Sequence, residues 1–228
     1  MDPALTPSAR TRVNRLPELA RTDRADLDAV LDAALLAHVG FLDPGGNQPC
    51  VIPLAFAREG DRVLVHGSTG SRAIRALAAG VPTCLTVTLL DGLVYARSVF
   101  ESSMHYRAAM LFGQFVALTD TALRDGLEVL TEHLMPGRWA QARQPNRREL
   151  AATSVLAMPI GEWSVKISDR WPDDPEDDLA LPVWAGVIPR QDRWGAPLDA
   201  PDLRAEATAP AVPRPVPPAL AQPRRGDR

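Results

Sequence analysis

His66, Ser68, Ser71 and Arg72 fall within one run of seven residues, a basic and hydroxyl-rich set carried on small neighbours. Residues of these types suit an anion. Hydroxyls and backbone N–H groups donate hydrogen bonds, and a guanidinium can grip a phosphate through two parallel ones. The surrounding sequence is Arg62-Val63-Leu64-Val65-His66-Gly67-Ser68-Thr69-Gly70-Ser71-Arg72-Ala73-Ile74-Arg75-Ala76-Leu77. Val63 and Val65 predict a β-strand. Gly67 and Gly70 let the backbone approach a ligand closely, Ser71 suits a helix N-cap, and Ile74 and Leu77 supply apolar positions of the helix that follows. A helix N-terminus adds unpaired N–H donors and partial positive charge. Strand, loop and helix together read as a phosphate seat. The order of residues is neither G-x-x-x-x-G-K-[ST] nor G-x-G-x-x-G, and taken alone the pattern fits a plain strand-to-helix turn equally well.

Other chemistries find less support. A single histidine at a strand end, as His66 is, is structural by default. No His, Cys, Asp or Glu cluster has metal-ligand spacing, so no metal site is expected. The G-x-S-x-G nucleophile elbow is absent, which disfavours serine hydrolysis. Cys50 and Cys84 each sit in an apolar, strand-like run, where cysteine behaves as a small hydrophobe. Lys166 is the chain's sole lysine, and a lone lysine in an apolar strand is a surface residue by default.

The elements that must position the seat follow from the rest of the chain. With 228 residues, 46% of them hydrophobic, there is material for one substantial core. A net charge of −3 gives no bulk argument for nucleic acid or an anionic membrane. No signal peptide or long apolar span is present, which predicts a cytoplasmic protein. Residues 1–20 lack periodicity and are expected to be a flexible arm. Thr22 or Asp23 caps a helix towards Leu35, with Leu27, Val30, Leu31, Ala34 and Leu35 on its buried face. Short strands are expected around Val39–Leu42 and Cys50–Phe56, separated by the turn Asp43-Pro44-Gly45-Gly46. Further strands are expected at Thr83–Leu89 and Val94–Phe100, divided by a turn at Asp91-Gly92. Tyr106-Arg107 leads into a long apolar run through Leu118, which Gly113 and Phe115-Val116 assign to β structure. A second helix follows, to about Met135, ended by Pro136-Gly137. Residues 138–148 are polar and basic and read as a loop, and the last strands lie at Ser154–Ile160 and Glu162–Ile167.

Few helices, about six strands and no βαβ rhythm predict a mainly β (α+β) fold, an antiparallel Greek-key barrel. Its domain is placed at 21–170. An extension at 171–199, with Trp184 among aliphatics, is expected to pack on the barrel or on a partner, because each large apolar side chain left in water costs about 1.5–3 kcal/mol. The tail at 200–228 is rich in Pro, Ala and Arg and is expected to be disordered.

Val65-His66-Gly67-Ser68-Thr69-Gly70-Ser71-Arg72 resembles the phosphate-binding segment of the pyridoxamine 5′-phosphate oxidase-like family, FMN-binding split β-barrel flavoproteins. The branch it most resembles contains nitroimidazole-resistance reductases. Tyr106-Arg107-Ala108-Ala109-Met110-Leu111-Phe112-Gly113 and Thr153-Ser154-Val155 leading into Trp163-Ser164-Val165-Lys166 resemble that branch too, in the same order and with similar gaps over about residues 20–190.

The resemblance implies FMN as cofactor and a homodimer with the flavin at its seam. It implies that the backbone of Ile52, Pro53 and Leu54 runs under the isoalloxazine ring. Gly67, Ser68, Ser71 and Arg72 would hold the phosphate, and Lys166 would reach the phosphate or the pocket mouth. Arg107 would lie near the flavin or the seam, although a core salt bridge is an equal alternative. His66 would face the flavin and donate a proton or orient substrate. Ala73 stands where pyridoxamine phosphate oxidases proper carry lysine, and Ser168-Asp169-Arg170 is a poor match to their C-terminal Arg-x-His-Asp-Arg segment. The implied activity is flavin-mediated oxidation or reduction of a small organic molecule, with a reduced nicotinamide or deazaflavin as a candidate second substrate. The alternative is a non-catalytic flavin or haem carrier in the same fold, with His66 or His105 as axial ligand.

Overall fold

The computed structural model describes residues 8–46, 48–204 and 207–210. Parts of the expected arm (1–7) and tail (205, 206 and 211–228) lie outside the described residues. The strands and helices begin with β1 (Ala20–Arg21), α1 (Arg24–Ala33), β2 (Leu36–Leu42), β3 (Pro49–Glu59), β4 (Arg62–Ser68) and α2 (Arg72–Ala78). They continue with β5 (Thr83–Tyr95), β6 (Ser103–Gly113), β7 (Val116–Ala117) and α3 (Asp120–Leu134). The chain then forms α4 (Arg138–Gln141), α5 (Arg147–Ala151), β8 (Thr153–Pro159), β9 (Glu162–Ser168) and β10 (Gly186–Pro189).

The strands form a sheet in the order β1-β9-β6-β5-β2-β3-β4-β8-β7, with β10 paired to β5. Among the described residues its two end strands, β1 and β7, do not pair, so the antiparallel sheet is a split rather than a closed barrel. Where the sequence predicts about six strands, the described residues form seven long ones, with β1, β7 and β10 as short additions.

Two compact units make up the chain, one containing residues up to Leu90 with His105–Ser168, the other Asp91–Met104 with residues from Asp169 onward. In the first, Val39, Phe41, Phe56, Val63, Val65, Leu85, Leu111, Leu156, Met158 and Val165 fill the main core. Helix α1 adds Leu27, Val30 and Leu31 to it, and is capped by the Asp23 side chain, which accepts the Ala25 N–H at 3.1 Å. A smaller cluster under α3 gathers Ala57, Leu64, Leu130, Val155 and Ala157. Cys50 pairs in register with the core residue Phe41, whereas Cys84 pairs with Gly40. Because neighbouring positions on a strand face opposite ways, the two thiols lie on opposite faces of the sheet, and both are free.

In the second unit the turn expected at Asp91-Gly92 is absent, and β5 runs straight through it. Gly92 serves a different need: a Cβ there would sit 2.8 Å from the Ile188 carbonyl oxygen of β10. Gly186 to Pro189 pair with Tyr95 to Gly92, and the Tyr95 and Trp184 rings lie 5.7 Å apart. The Asp174 carboxylate accepts both the Arg97 N–H (2.6 Å) and the Arg97 guanidinium (2.9 Å).

Residues 8–21 are held against β9. Glu162 accepts from the Ser8 hydroxyl and the Arg10 guanidinium, and the Lys166 ammonium donates to the Arg15 carbonyl at 3.0 Å. Ala20 and Arg21 then pair with Lys166 and Val165. A cavity of about 80 Å³ lined by Ser8, Thr11, Ala20, Glu162 and Trp163 lies here. The Arg10 guanidinium, and secondarily the Ser8 hydroxyl, hold the Glu162 carboxyl at about 2, well below its ordinary value. A depressed carboxyl contributes to docking above its ordinary range and loses that contribution as pH falls through its folded value. Hydrogen-exchange protection of residues 8–16 should therefore be full above pH ~5 and decline progressively as pH falls towards about 2, and Glu162→Gln should expose Arg10, Arg12 and Arg15 to trypsin at neutral pH. Protection lost at pH ~4–5, the ordinary carboxylate range, contradicts this.

Candidate functional site

The site is built on β4. Val63 and Val65 enter the main core, while Leu64 enters the cluster under α3. Burial of both faces explains an uninterrupted apolar run in place of strict alternation. β4 pairs with β3 only from Arg62↔Glu59 to Val65↔Phe56, then continues alone with β8 through Ser68↔Thr153. β3 behaves reciprocally: from Ala55 back to Pro49 its partner is β2. The barrel therefore splits beside His66, leaving Ile52, Pro53 and Leu54 on one bank and the loop Gly67–Ser71 on the other.

The loop closes on itself. The Ser71 N–H donates to the Ser68 carbonyl (3.0 Å), the Gly70 N–H to the Ser68 Oγ (3.2 Å), and the Thr69 N–H to the Ala152 carbonyl (3.0 Å). Ser71 caps α2 by accepting the Ile74 N–H on its Oγ at 3.4 Å. The amides of residues 69–71 are thus occupied within the protein. The donors left to meet an anion are the first-turn N–H groups of Arg72 and Ala73, which no intrahelical bond can use, the Ser71 hydroxyl proton, and the Arg72 and Arg75 guanidinium groups. α2 is only seven residues long, so charge at this mouth comes from the arginines more than from a helix dipole.

Arg72 is exposed, and its guanidinium lies 3.8 Å from the Asp43 carboxylate, which is largely covered. Asp43 belongs to the β2–β3 turn, where its N–H donates to the Gln48 carbonyl at 2.8 Å. The turn is legible in Asp43-Pro44-Gly45-Gly46, but no sequence signal brings its carboxylate to Arg72, because that contact depends on β3 leaving β4.

The remaining candidates separate. Ile52 and Leu54 turn inward, packed against the main core, while Pro53 faces outward opposite His38. Arg107 is buried on β6 opposite Ile167, and Lys166 lies on β9, five strands from β4 in the sheet order. Ser68, Ser71 and Arg72 share one turn. Gly67 lies beneath it, where a Cβ would sit 2.6 Å from the Ile74 Cγ1. His66 takes the other face of β4, on the Leu64 side and opposite Val155. Its Nδ1 is buried with no hydrogen-bond partner among the described residues. Burial pushes its pKa below the ordinary value, so the imidazole is neutral at pH 7.

A family model described as pyridoxamine 5′-phosphate oxidase matches residues 23–167. The chain belongs to that family. Among solved structures, the FAD and haem binding protein from Mycobacterium smegmatis is 48% identical, with a TM-score of 0.81, over 85% of this chain and 94% of that one. The flavocytochrome Anf3 from Azotobacter vinelandii is 41% identical, with a TM-score of 0.83, over 90% of this chain and 95% of that one. A structure from Bacteroides thetaiotaomicron described as a 5-nitroimidazole antibiotic resistance protein shares the fold at 21% identity and a TM-score of 0.57, covering 65% of this chain and 86% of that one. A search of the curated proteins returned no match. The pyridoxamine 5′-phosphate oxidase fold thus carries the split between β3 and β4 described above. No helix among the described residues is long and apolar enough to cross a membrane.

The Gly67–Ile74 contact seats α2 on β4, and overpacking it has a calculable cost. Gly67→Val should lower stability by about 1–3 kcal/mol in denaturant unfolding, and Ile74→Ala in the same chain should recover part of the loss. An unchanged unfolding midpoint for Gly67→Val would refute the close approach.

Proposed function

We propose that this chain is a flavin-dependent oxidoreductase whose flavin phosphate docks on Ser71, Arg72 and Ala73 at the mouth of the β3–β4 split. The observation that carries the reading is the 48% identity, over 85% of the chain, to a protein described as binding FAD and haem. The donor set supports it. A guanidinium, a hydroxyl and two unused amides suit a phosphate, and Asp43 holds Arg72 at the mouth without burying its charge. FMN is the cofactor proposed here, with FAD as the other flavin this donor set accepts.

The flavin supplies redox chemistry; the protein binds, orients and shields it. Arg72 and the α2 amides fix the phosphate end, and the β3 backbone at Ile52, Pro53 and Leu54 lines the opposite bank. Gly67 and Ser68 shape the turn. Arg107 and Lys166, four and five strands from β4 in the sheet order, are proposed to reach the ligand across a second copy of the chain, Lys166 on release from the Arg15 carbonyl. A homodimer is consistent with the outward sheet face carrying exposed Leu36, Leu42 and Val51, which register places together on β2 and β3. A small organic molecule is the proposed substrate, and His66, neutral at pH 7 and on the α3 side of β4, is the proposed orienting group, giving up a proton only in its minor protonated form.

A second reading has a specific observation behind it. A half-buried, neutral imidazole with a ring nitrogen unpartnered among the described residues is what a haem iron takes as an axial ligand, and two similar proteins are described as a haem binder and a flavocytochrome. In that reading His66, or alternatively His105, is the ligand and the protein is a carrier.

The phosphate seat is tested by titrating flavin-free protein with FMN and with riboflavin. Loss of a charge-assisted bond of about 1.5–3 kcal/mol predicts that Arg72→Ala weakens FMN by roughly ten- to a hundredfold and leaves riboflavin unchanged. Equal losses for both ligands would place the phosphate elsewhere. For the dimer, Val51→Glu should halve the mass in sedimentation equilibrium, and a wild-type monomer would remove the seam.

A further inference from the structure

The segment between α3 and β8 carries a local excess of positive charge. Residues 136–152 contain Arg138, Arg143, Arg147 and Arg148 against Glu149 alone, a net +3 within a chain of −3. The sequence reads this stretch as a loop, yet it is a built surface. Glu132 accepts the N–H groups of Gly137 (2.6 Å) and Trp139 (2.8 Å), fixing the turn out of α3. The Gln144 side chain donates to the Trp139 carbonyl at 2.7 Å and accepts from Arg124 at 3.1 Å, while the Arg124 guanidinium lies 5.5 Å from the centre of the Trp139 ring. Asn146 and Glu149 form a reciprocal capping box on α5.

This scaffold settles which charges remain. Arg143 donates to both Glu149 oxygens at 2.6 and 3.0 Å, and holds that carboxyl at about 2, well below its ordinary value. The segment's one acid is therefore neutralised. Arg138, Arg147 and Arg148 are exposed and have no ion-pair partner among the described residues. The patch also adjoins the seat: the Ala152 carbonyl, just after α5, accepts both the N–H and the hydroxyl of Thr69 at 3.0 and 3.3 Å.

We propose that the α4–α5 surface is a docking face for an acidic electron-carrier protein, which rests on the flavin reading above. Encounters between redox proteins are small and weak, and they are guided by opposite charge. A positive face on a chain whose remainder is negative orients an acidic partner with this side inward. The half-buried Trp139 under Arg124 offers no stacking platform, so nucleic acid fits poorly. Exposed guanidinium groups that converge on no pocket do not make a small-anion site.

A labelled bacterial flavodoxin in its oxidised form serves as the probe, titrated with the full chain and followed by fluorescence anisotropy. Binding should be measurable at low ionic strength and fall steeply with added salt. Arg147→Gln with Arg148→Gln should weaken it about tenfold and flatten the salt dependence, while circular dichroism and bound flavin stay unchanged. Unaltered affinity in the double variant would overturn the docking face, as would tighter binding of a short oligonucleotide than of flavodoxin. A colourless preparation that still binds flavodoxin through these arginines would sink the flavin reading alone. A yellow one indifferent to both substitutions would sink the docking face alone.

Discussion

One constraint governs the first unit: β4 must serve two cores and two neighbours, and it cannot keep both neighbours along its whole length. Val63 and Val65 bind it to the main core, Leu64 to the cluster under α3, and β8 follows it to Ser68. β3 leaves after Phe56↔Val65 to finish its pairing with β2. Backbone groups freed by that departure are costly unless satisfied. The loop after β4 satisfies its own amides through Ser68 and Ala152. The split, the tight loop and the seating of α2 are three consequences of one change of partner.

Electrostatics then distinguishes the two sides of β4. On the α2 side, Arg72 stays in water beside Asp43, a charge ready for a ligand that brings negative charge. On the α3 side, His66 is half-buried and neutral, with a ring nitrogen that no described residue satisfies. Buried polar atoms are normally paired, and this unpaired one lies one residue before the loop that carries Ser68 and Ser71. The neighbouring α4–α5 surface adds exposed positive charge. Three different chemistries thus lie within a short length of chain on either side of the β4–β8 pairing.

Much of this is legible in the residues because it is local. The cap at Asp23, the apolar faces of the two long helices, and the strand–loop–helix around Gly67 each follow from a few adjacent positions. What the sequence hides is non-local. Asp91-Gly92 looks like a turn because Gly usually means one, whereas here it clears space for a carbonyl from β10, far along the chain. Residues 138–148 look like a loop because they are polar, and the network from Glu132, Gln144 and Asn146 that shapes them leaves no hydrophobic period. Gly67-Ser68-Thr69-Gly70 reads as an amide cradle, but closure on Ser68 and Ala152 takes up those amides and moves the available donors to the start of α2. Asp43 stands out only once β2, β3 and β4 are in place.

A flavin held at the mouth of the β3–β4 split is the central proposal, and the absorbance spectrum of the purified protein bears on it most directly. The two-banded spectrum of oxidised flavin is predicted, with a Soret band beside it if His66 also carries haem. A preparation that is colourless, and remains so after incubation with FMN and with FAD, would contradict it.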